Sequence, residues 1–104
     1  MDDEYIKVEV PDMNDSTSRI VINKEVFYLR FTYNDTFDYW KLSVYDSLMG
    51  KIIEGIKIVP NFCLNLFCPT RKLPKVAFVV FTQQDRIGKD DFKNGKAQFL
   101  YAPL

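Results

Sequence analysis

Hydrophobic and polar residues alternate with a period of two along much of the chain, a pattern typical of half-buried β-strands. The alternation is clearest in residues 26–33 and 39–45. Every second position there is aromatic or aliphatic: Phe27, Leu29, Phe31 and Tyr33, then Trp40, Leu42 and Val44. The intervening residues 34–38 are mostly turn formers, so the two segments are predicted to form a hairpin.

Weaker patterns predict five more strands, over residues 5–10, 20–23, 51–59, 76–81 and 96–101. The strand at 76–81 is apolar on consecutive positions, so we expect it to be buried on both faces. Residues 46–50 are predicted to turn, with Gly50 as the residue of positive φ.

The remaining segments are predicted to be connections. Residues 12–18 and 83–95 are polar and are expected to be loops, whereas the apolar stretch 62–67 fits either one helical turn or a strand corner. The fold class predicted is all-β: a small antiparallel β-sandwich or barrel of about seven short strands, with at most one short helical turn. The chain length of 104 residues fits a single domain over residues 1–104, and residues 1–4 are expected to be loose.

The composition excludes several kinds of chemistry. The chain has no histidine, which excludes Ser-His-Asp and Cys-His mechanisms and histidine-ligated zinc. Cys63 and Cys68 are too few to close a tetrahedral metal site, and we expect two buried reduced thiols or a local disulfide. The paired carboxylates fall in predicted turns. We therefore assign no catalytic residue, metal or cofactor, and expect the chain not to be an enzyme.

Charge is balanced overall, with 14 basic and 14 acidic residues, but it is unevenly distributed. Residues 1–16 hold six acids and one base, while many bases come late: Arg71, Lys72, Lys75, Arg86, Lys89, Lys93 and Lys96. Such an asymmetry has three interpretations: a basic face that binds nucleic acid, charged side chains that are simply exposed to solvent, or two complementary faces of a protein–protein contact. The acidic N-terminus lacks a secretory signal, and no apolar run reaches membrane-spanning length, so we expect synthesis in the cytoplasm and no membrane partner.

The aromatic residues divide into a core set and a surface set. The predicted core phase contains Phe27, Phe31, Trp40, Phe78, Phe81 and Phe99. The outward tyrosines, Tyr28, Tyr39 and Tyr45, remain for a surface role. Because tyrosine offers an apolar ring and a hydroxyl at low entropic cost, this set favours an interaction protein over an enzyme.

An ordered set of segments resembles a known family. It comprises DYWKLSVYD over residues 38–46, a glycine turn, GIKIVPN over residues 55–61, and KDDFKNGKAQFLY over residues 89–101. This set is similar to the small baseplate plug family of contractile-tailed bacteriophages, known from cyanophage-type baseplates. The resemblance covers about residues 20–102.

The resemblance implies a structural virion protein, a plug or hub component of the tail baseplate that is made in the host cytoplasm. Its implied partners are other baseplate, tail-tube and spike proteins, in a homo-oligomer or a symmetric ring. The alternative is a small β-barrel protein that binds single-stranded nucleic acid, with its late bases and exposed aromatics as the binding surface.

Protein contacts are expected on the outward tyrosines and on the loop at residues 85–95. The residues assigned to this interface are Tyr28, Tyr39, Tyr45, Arg86, Lys89 and Phe92. An edge strand at residues 5–10 or 96–101 is a further candidate for docking, by strand addition.

Overall fold

The computed structural model describes residues 5–65 and 76–103 of the chain. These residues form seven strands: β1 (Ile6–Val8), β2 (Asp15–Ile22), β3 (Glu25–Asn34), β4 (Tyr39–Tyr45), β5 (Lys51–Lys57), β6 (Val76–Thr82) and β7 (Ala97–Pro103). All neighbouring strands are antiparallel, in one sheet of order β1-β7-β6 and another of order β2-β3-β4-β5. The predicted all-β class, with about seven strands, is confirmed. No helix that could cross a membrane is found in the described residues.

The core lies between the two sheets and is built largely from phenylalanines. Phe31 of β3 meets Phe99 of β7 edge-on, with ring centroids 5.0 Å apart, and Phe78 of β6 lies 5.9 Å from Phe99. All three side chains are fully buried. Removing each from water contributes on the order of 2–3 kcal/mol before entropy is subtracted, so these rings join the sheets.

The alternation predicted for β3 and β4 is confirmed, but the prediction for β6 is wrong in one respect. Val76, Phe78 and Val80 point inward, which turns the intervening residues outward, and Phe81 is 41% exposed. The segment is therefore buried on one face only, and Phe81 does not belong to the core. A run of consecutive apolar residues does not distinguish a strand that is buried on both faces from one that is buried on a single face.

The loop predicted at residues 12–18 is wrong from Asp15 onward, because β2 begins there and pairs with β3 from Asp15↔Thr32 to Ile22↔Glu25. Its first four residues are polar and carry no hydrophobic signal. They are ordered as a strand because β3 is ten residues long and offers backbone partners along its whole length.

The turn between β4 and β5 also differs from the prediction. Met49, not Gly50, has the positive φ of 63°. The Asp46 carboxylate accepts hydrogen bonds from the amides of Leu48 at 2.9 Å and Gly50 at 2.8 Å. A Cβ at Gly50 would lie 2.8 Å from this carboxylate, so glycine leaves room for the Asp46 side chain and does not supply the positive backbone angle.

The bounds of two strands and one edge assignment need correction. β1 covers only Ile6–Val8, and β5 ends at Lys57 with a register shift against β4 and a positive φ at Gly55. β7 is the central strand of its sheet. The segment 96–101 is therefore not an edge, because both of its sides are paired, whereas β1 is an edge as expected.

Several predictions fall wholly or partly outside the described residues. These are the loose residues 1–4, Cys68, the end of the apolar stretch 62–67, and the bases Arg71, Lys72 and Lys75. Within the described part, Cys63 is a free thiol that donates to Asn65 Oδ1 at 3.3 Å. Residues 60–65 form no helix, and Pro60 makes an isolated parallel bridge with Val80.

Candidate protein-contact surface

The three predicted tyrosines lie on the outer face of the four-stranded sheet. Tyr28 of β3 is directly opposite Tyr45 of β4, and Tyr39 lies on the same face of β4, six residues away. The strand rise places Tyr39 and Tyr45 about 20 Å apart. All three side chains are half-buried, so the sheet presents their rings at both ends of one surface.

Between these ends, Arg30 fixes a group of polar side chains. Its guanidinium donates to both carboxylate oxygens of Asp15, at 2.9 and 2.6 Å. The hydrogen bonds from Arg30 lower the pKa of Asp15 by stabilising its charged form. Because both side chains are exposed, this pair orients the surface more than it stabilises the fold.

One end of the surface is the turn between β3 and β4, which Asn34 organises. The Asn34 Oδ1 accepts hydrogen bonds from the amides of Thr36 at 2.9 Å and Phe37 at 3.0 Å, as asparagine commonly does in turns. Asp38 takes the positive φ of 56° that closes the turn. The result leaves Phe37 75% exposed.

Arg86 links this turn to the loop at residues 83–96. It donates to the Asp38 carbonyl at 2.7 Å and forms an ion pair with the Asp38 carboxylate, to which the Tyr33 hydroxyl also donates. The hydrogen bonds from Tyr33 and Arg86 lower the pKa of Asp38. The same hydrogen bond to Asp38 raises the pKa of Tyr33 to about 12.

Lys89 and Phe92 make different contacts within the same loop. Lys89 Nζ is exposed, 3.6 Å from an Asp35 carboxylate oxygen and 5.9 Å from the centre of the Tyr33 ring. Phe92 packs edge-on against Trp40 at 5.4 Å. Trp40 also donates its indole N–H to the Gly88 carbonyl at 3.0 Å. Lys89 therefore faces solvent, whereas Phe92 anchors the loop on the core.

Tyr39 and Arg86 line a shared cavity of about 430 Å³, which we call the end groove. It lies between the β3–β4 turn, the segment after β5 and the loop at residues 83–96. Its other lining residues are Phe37, Asp38, Lys57, Ile58, Val59, Pro60, Asp85 and Ile87. The Lys57 ammonium lies 5.3 Å from the centre of the Tyr39 ring. The groove therefore combines aromatic surface with charges of both signs.

Three apolar residues in turns are exposed and were not among the predicted contact residues. Phe37 is 75% exposed, Leu48 is 89% exposed and Met49 is 52% exposed. A signal was available, because each interrupts a stretch already predicted to turn. A residue in a turn has no core-facing strand position, so an apolar side chain there is expected at the surface.

Charge on the described residues does not favour a nucleic-acid site. Arg86, Lys89 and Lys93 each pair with a carboxylate, the last with Asp12 at 3.3 Å. These late bases therefore do not form the unpaired basic stripe that phosphate binding requires. In the described part of the chain, no group of three or more Cys, Asp or Glu residues is placed to hold a metal ion.

Comparison with known proteins points to one family. A family model described as the cyanophage baseplate Pam3 plug gp18 matches residues 4–103, nearly the whole chain. A search of the curated proteins found no match. The resemblance seen in the sequence is thereby confirmed.

Proposed function

Since the chain belongs to the cyanophage baseplate Pam3 plug family, we propose that it is a plug in the central hub of a contractile tail baseplate and acts through protein–protein packing. Membership makes it a structural phage protein and a component of the virion tail baseplate. The single observation that carries the finer role is the family match over residues 4–103.

The proposal extends to synthesis, partners and organisation. The chain is made in the host cytoplasm and joins neighbouring baseplate, tail-tube and spike proteins as the particle assembles. It acts as one β domain, which the core shared by both sheets supports, and it has no catalytic role, which the structural family supports.

The proposed contact surface is the outer face of the four-stranded sheet together with the end groove. Tyr28, Tyr39 and Tyr45 supply aromatic area there, and Arg86 and Lys89 supply charge at its edge. Such a mixture of aromatic rings and arginine is enriched in protein interfaces. Phe92 contributes indirectly, by holding the loop that carries both charges.

The plug role is tested by imaging tails assembled without the chain. Averaged electron-microscopy maps of tails from a phage with the gene disrupted are expected to lose density in the central hub, and a plasmid-borne copy restores it. Hub density that is unchanged without the chain would contradict the role.

The contact surface is tested separately with Tyr39→Ser and Tyr45→Ser combined. This variant is expected to keep the wild-type melting temperature within a few degrees, since both rings are half-buried on an outer face, and to enter particles at a lower copy number. Tyr5→Ser is the matched control, because Tyr5 is an exposed tyrosine that packs on Phe81 of the other sheet. Equal incorporation of both variants would remove the assignment.

A further inference from the structure

The free edges of the two sheets differ in how they are protected. Residues 60–65 cover β6: the amides of Asn61 and Leu64 donate to carbonyls of β6, each at 2.8 Å. The side chains of Asn61 and Asn65 each bond to one amide and one carbonyl of the strand. The free backbone groups of this edge are thus occupied, as expected of an edge guarded against pairing.

Two other edges are protected in different ways. β5 has a register shift and an exposed ion pair between Lys51 and Glu54 at 2.8 Å, and both features discourage strand addition. β1 is only three residues long. β2, by contrast, is eight residues long, contains no proline or glycine, and pairs with β3 without any register shift.

Hairpin geometry identifies the backbone groups that β2 leaves free. Asn23 and Lys24 both have positive φ, at 51° and 68°, which defines a two-residue primed turn, so the flanking residues Ile22 and Glu25 form a hydrogen-bonded pair. The Tyr33 amide donates to the Asn14 carbonyl at 2.8 Å, which continues the same phase. Even-numbered residues of β2 therefore bond to β3.

It follows that Asp15, Thr17, Arg19 and Val21 direct their amides and carbonyls away from the sheet. Their side chains are exposed on the outer face, while Ser16 faces the core. Among the described residues Arg19 forms no ion pair with a carboxylate, and the Ser16 Oγ is buried without a hydrogen-bond partner. Considering residues 5–65 and 76–103 alone, the edge thus offers backbone groups without a partner, an unpaired cation and a buried hydroxyl.

We propose that β2 pairs antiparallel with β2 of a second copy of this chain, about a twofold axis that passes through Thr17. In this register Asp15 of each copy lies opposite Arg19 of the other. Each Asp15 carboxylate would then be shared between Arg30 of its own chain and Arg19 of the second copy. Thr17 and the two Asp15–Arg19 pairs exchange about six backbone hydrogen bonds. An isologous contact of this kind closes as a dimer.

The inner face fits the same register. Ser16 lies opposite Ser18 of the second copy, in the closely spaced type of antiparallel pair, where two hydroxyls are within hydrogen-bond reach. The buried Ser16 hydroxyl thereby gains a partner. A twofold axis at Arg19 would instead place the two Arg19 side chains opposite each other. An axis at Ser18 would place Asp15 opposite Val21. Charge complementarity therefore favours the register with its axis at Thr17.

The pairing concerns the isolated chain and does not rest on the proposed baseplate role. It joins two four-stranded sheets into one of eight strands, in the order β5-β4-β3-β2-β2-β3-β4-β5. Both contact surfaces of tyrosines would then lie on the same side of the joined sheet.

The test is the mass of the purified chain by sedimentation equilibrium. Wild-type protein is expected at twice the monomer mass of 12.2 kDa. Thr17→Pro removes the amide that faces the second copy and no hydrogen bond to β3, so it is expected to fold and to weaken dimerisation on the order of tenfold or more. Thr17→Val keeps the amide and the branched shape, and is the matched control that stays dimeric.

Amide hydrogen exchange provides an independent readout. In wild-type protein the amides of Asp15, Thr17 and Arg19 are expected to be protected, whereas in Thr17→Pro those of Asp15 and Arg19 exchange rapidly and β3 stays protected. A monomeric wild-type chain with rapid exchange at these amides would overturn the pairing, and its presence in particles would leave the baseplate role standing. A dimer that Thr17→Pro does not weaken would overturn the pairing through β2.

Discussion

Two buried serines in the four-stranded sheet have different surroundings. The Ser43 Oγ accepts a hydrogen bond from the Gly55 amide at 3.0 Å, which satisfies the irregular backbone of β5. The Ser16 Oγ has no such partner within the described residues of its own chain. A buried hydroxyl that has no hydrogen-bond partner destabilises the fold. When a buried hydroxyl does have a partner, removing the hydroxyl leaves that partner without a hydrogen bond and destabilises the fold in turn.

We therefore expect only one of the two alanine variants to destabilise the fold. Ser43→Ala is expected to lower the free energy of unfolding by about 1–2 kcal/mol, because the Gly55 amide loses its acceptor. Ser16→Ala is expected to leave it unchanged or to raise it by up to about 1 kcal/mol. Urea unfolding at a protein concentration low enough for the monomer measures both, and equal destabilisation by the two variants would contradict this account.

A second prediction at the residue scale concerns pH. The pKa of Tyr33 is raised to about 12 by its hydrogen bond to Asp38, above the value near 10 that is expected in the unfolded chain. The hydrogen bond therefore stabilises the fold fully below pH 10, and this contribution is lost as the pH rises towards 12.

Ultraviolet titration of tyrosinate tests this prediction. The wild-type protein is expected to show one late-titrating tyrosine that is missing in Tyr33→Phe, and the stability difference between the two proteins should narrow between pH 10 and 12. Loss of the late phase in Tyr28→Phe instead, with Tyr33→Phe unchanged, would show that the hydrogen bond is misassigned.

At the scale of elements, the loop at residues 83–96 depends on two aromatic contacts. Trp40 donates to the Gly88 carbonyl, and its ring system makes a T-shaped contact with Phe92. Phe92→Ala is expected to lower the free energy of unfolding by about 2 kcal/mol, because a half-buried ring that packs on the core is lost. Thermal or urea unfolding measures this loss.

Lys89→Ala is the matched control in the same loop. Its side chain is exposed, so its effect on stability is expected to stay within about 0.5 kcal/mol. If Phe92→Ala were equally neutral, Phe92 would be free for partner contact, as the sequence analysis assigned it, and the anchoring role would be wrong.

The elements also show where hydrophobic pattern is sufficient. β3 and β4 were predicted to within about a residue of their ends because large apolar side chains occupy every second inward position. For β2 the pattern predicts a strand over residues 20–23 only. Ser16 and Ser18 give no hydrophobic signal, although their backbones pair with β3. The outward position of Phe81 was missed because the apolar run in β6 does not record which face is covered.

At the scale of the whole molecule, the order of the strands in each sheet could not be predicted from the sequence. The position of β7 between β1 and β6 depends on contacts between distant segments, so a segment predicted as an edge lies at the centre. The candidate site was predicted in part: alternation placed the three tyrosines on one face. The junction of Arg86 with Asp38, 48 residues away, required the folded chain, because no local pattern brings a loop to a distant turn.

The sheet edges of the whole molecule differ in how they are protected. One sheet edge is covered by the chain's own asparagines and a second is bulged and charged. No part of the chain that the structure describes pairs with the outer edge of β2. The outer face of that sheet carries the tyrosines. A small baseplate protein built in this way would pair with a second copy through one edge and contact its neighbours through one face.

The most direct test of the central claim is quantitative mass spectrometry of purified tailed particles and of the baseplates detached from them. A structural baseplate plug is expected at a few copies per particle, and to stay with the baseplate fraction when tails are dissociated. Absence of the chain from intact particles, or its release with the tail tube alone, would contradict the account.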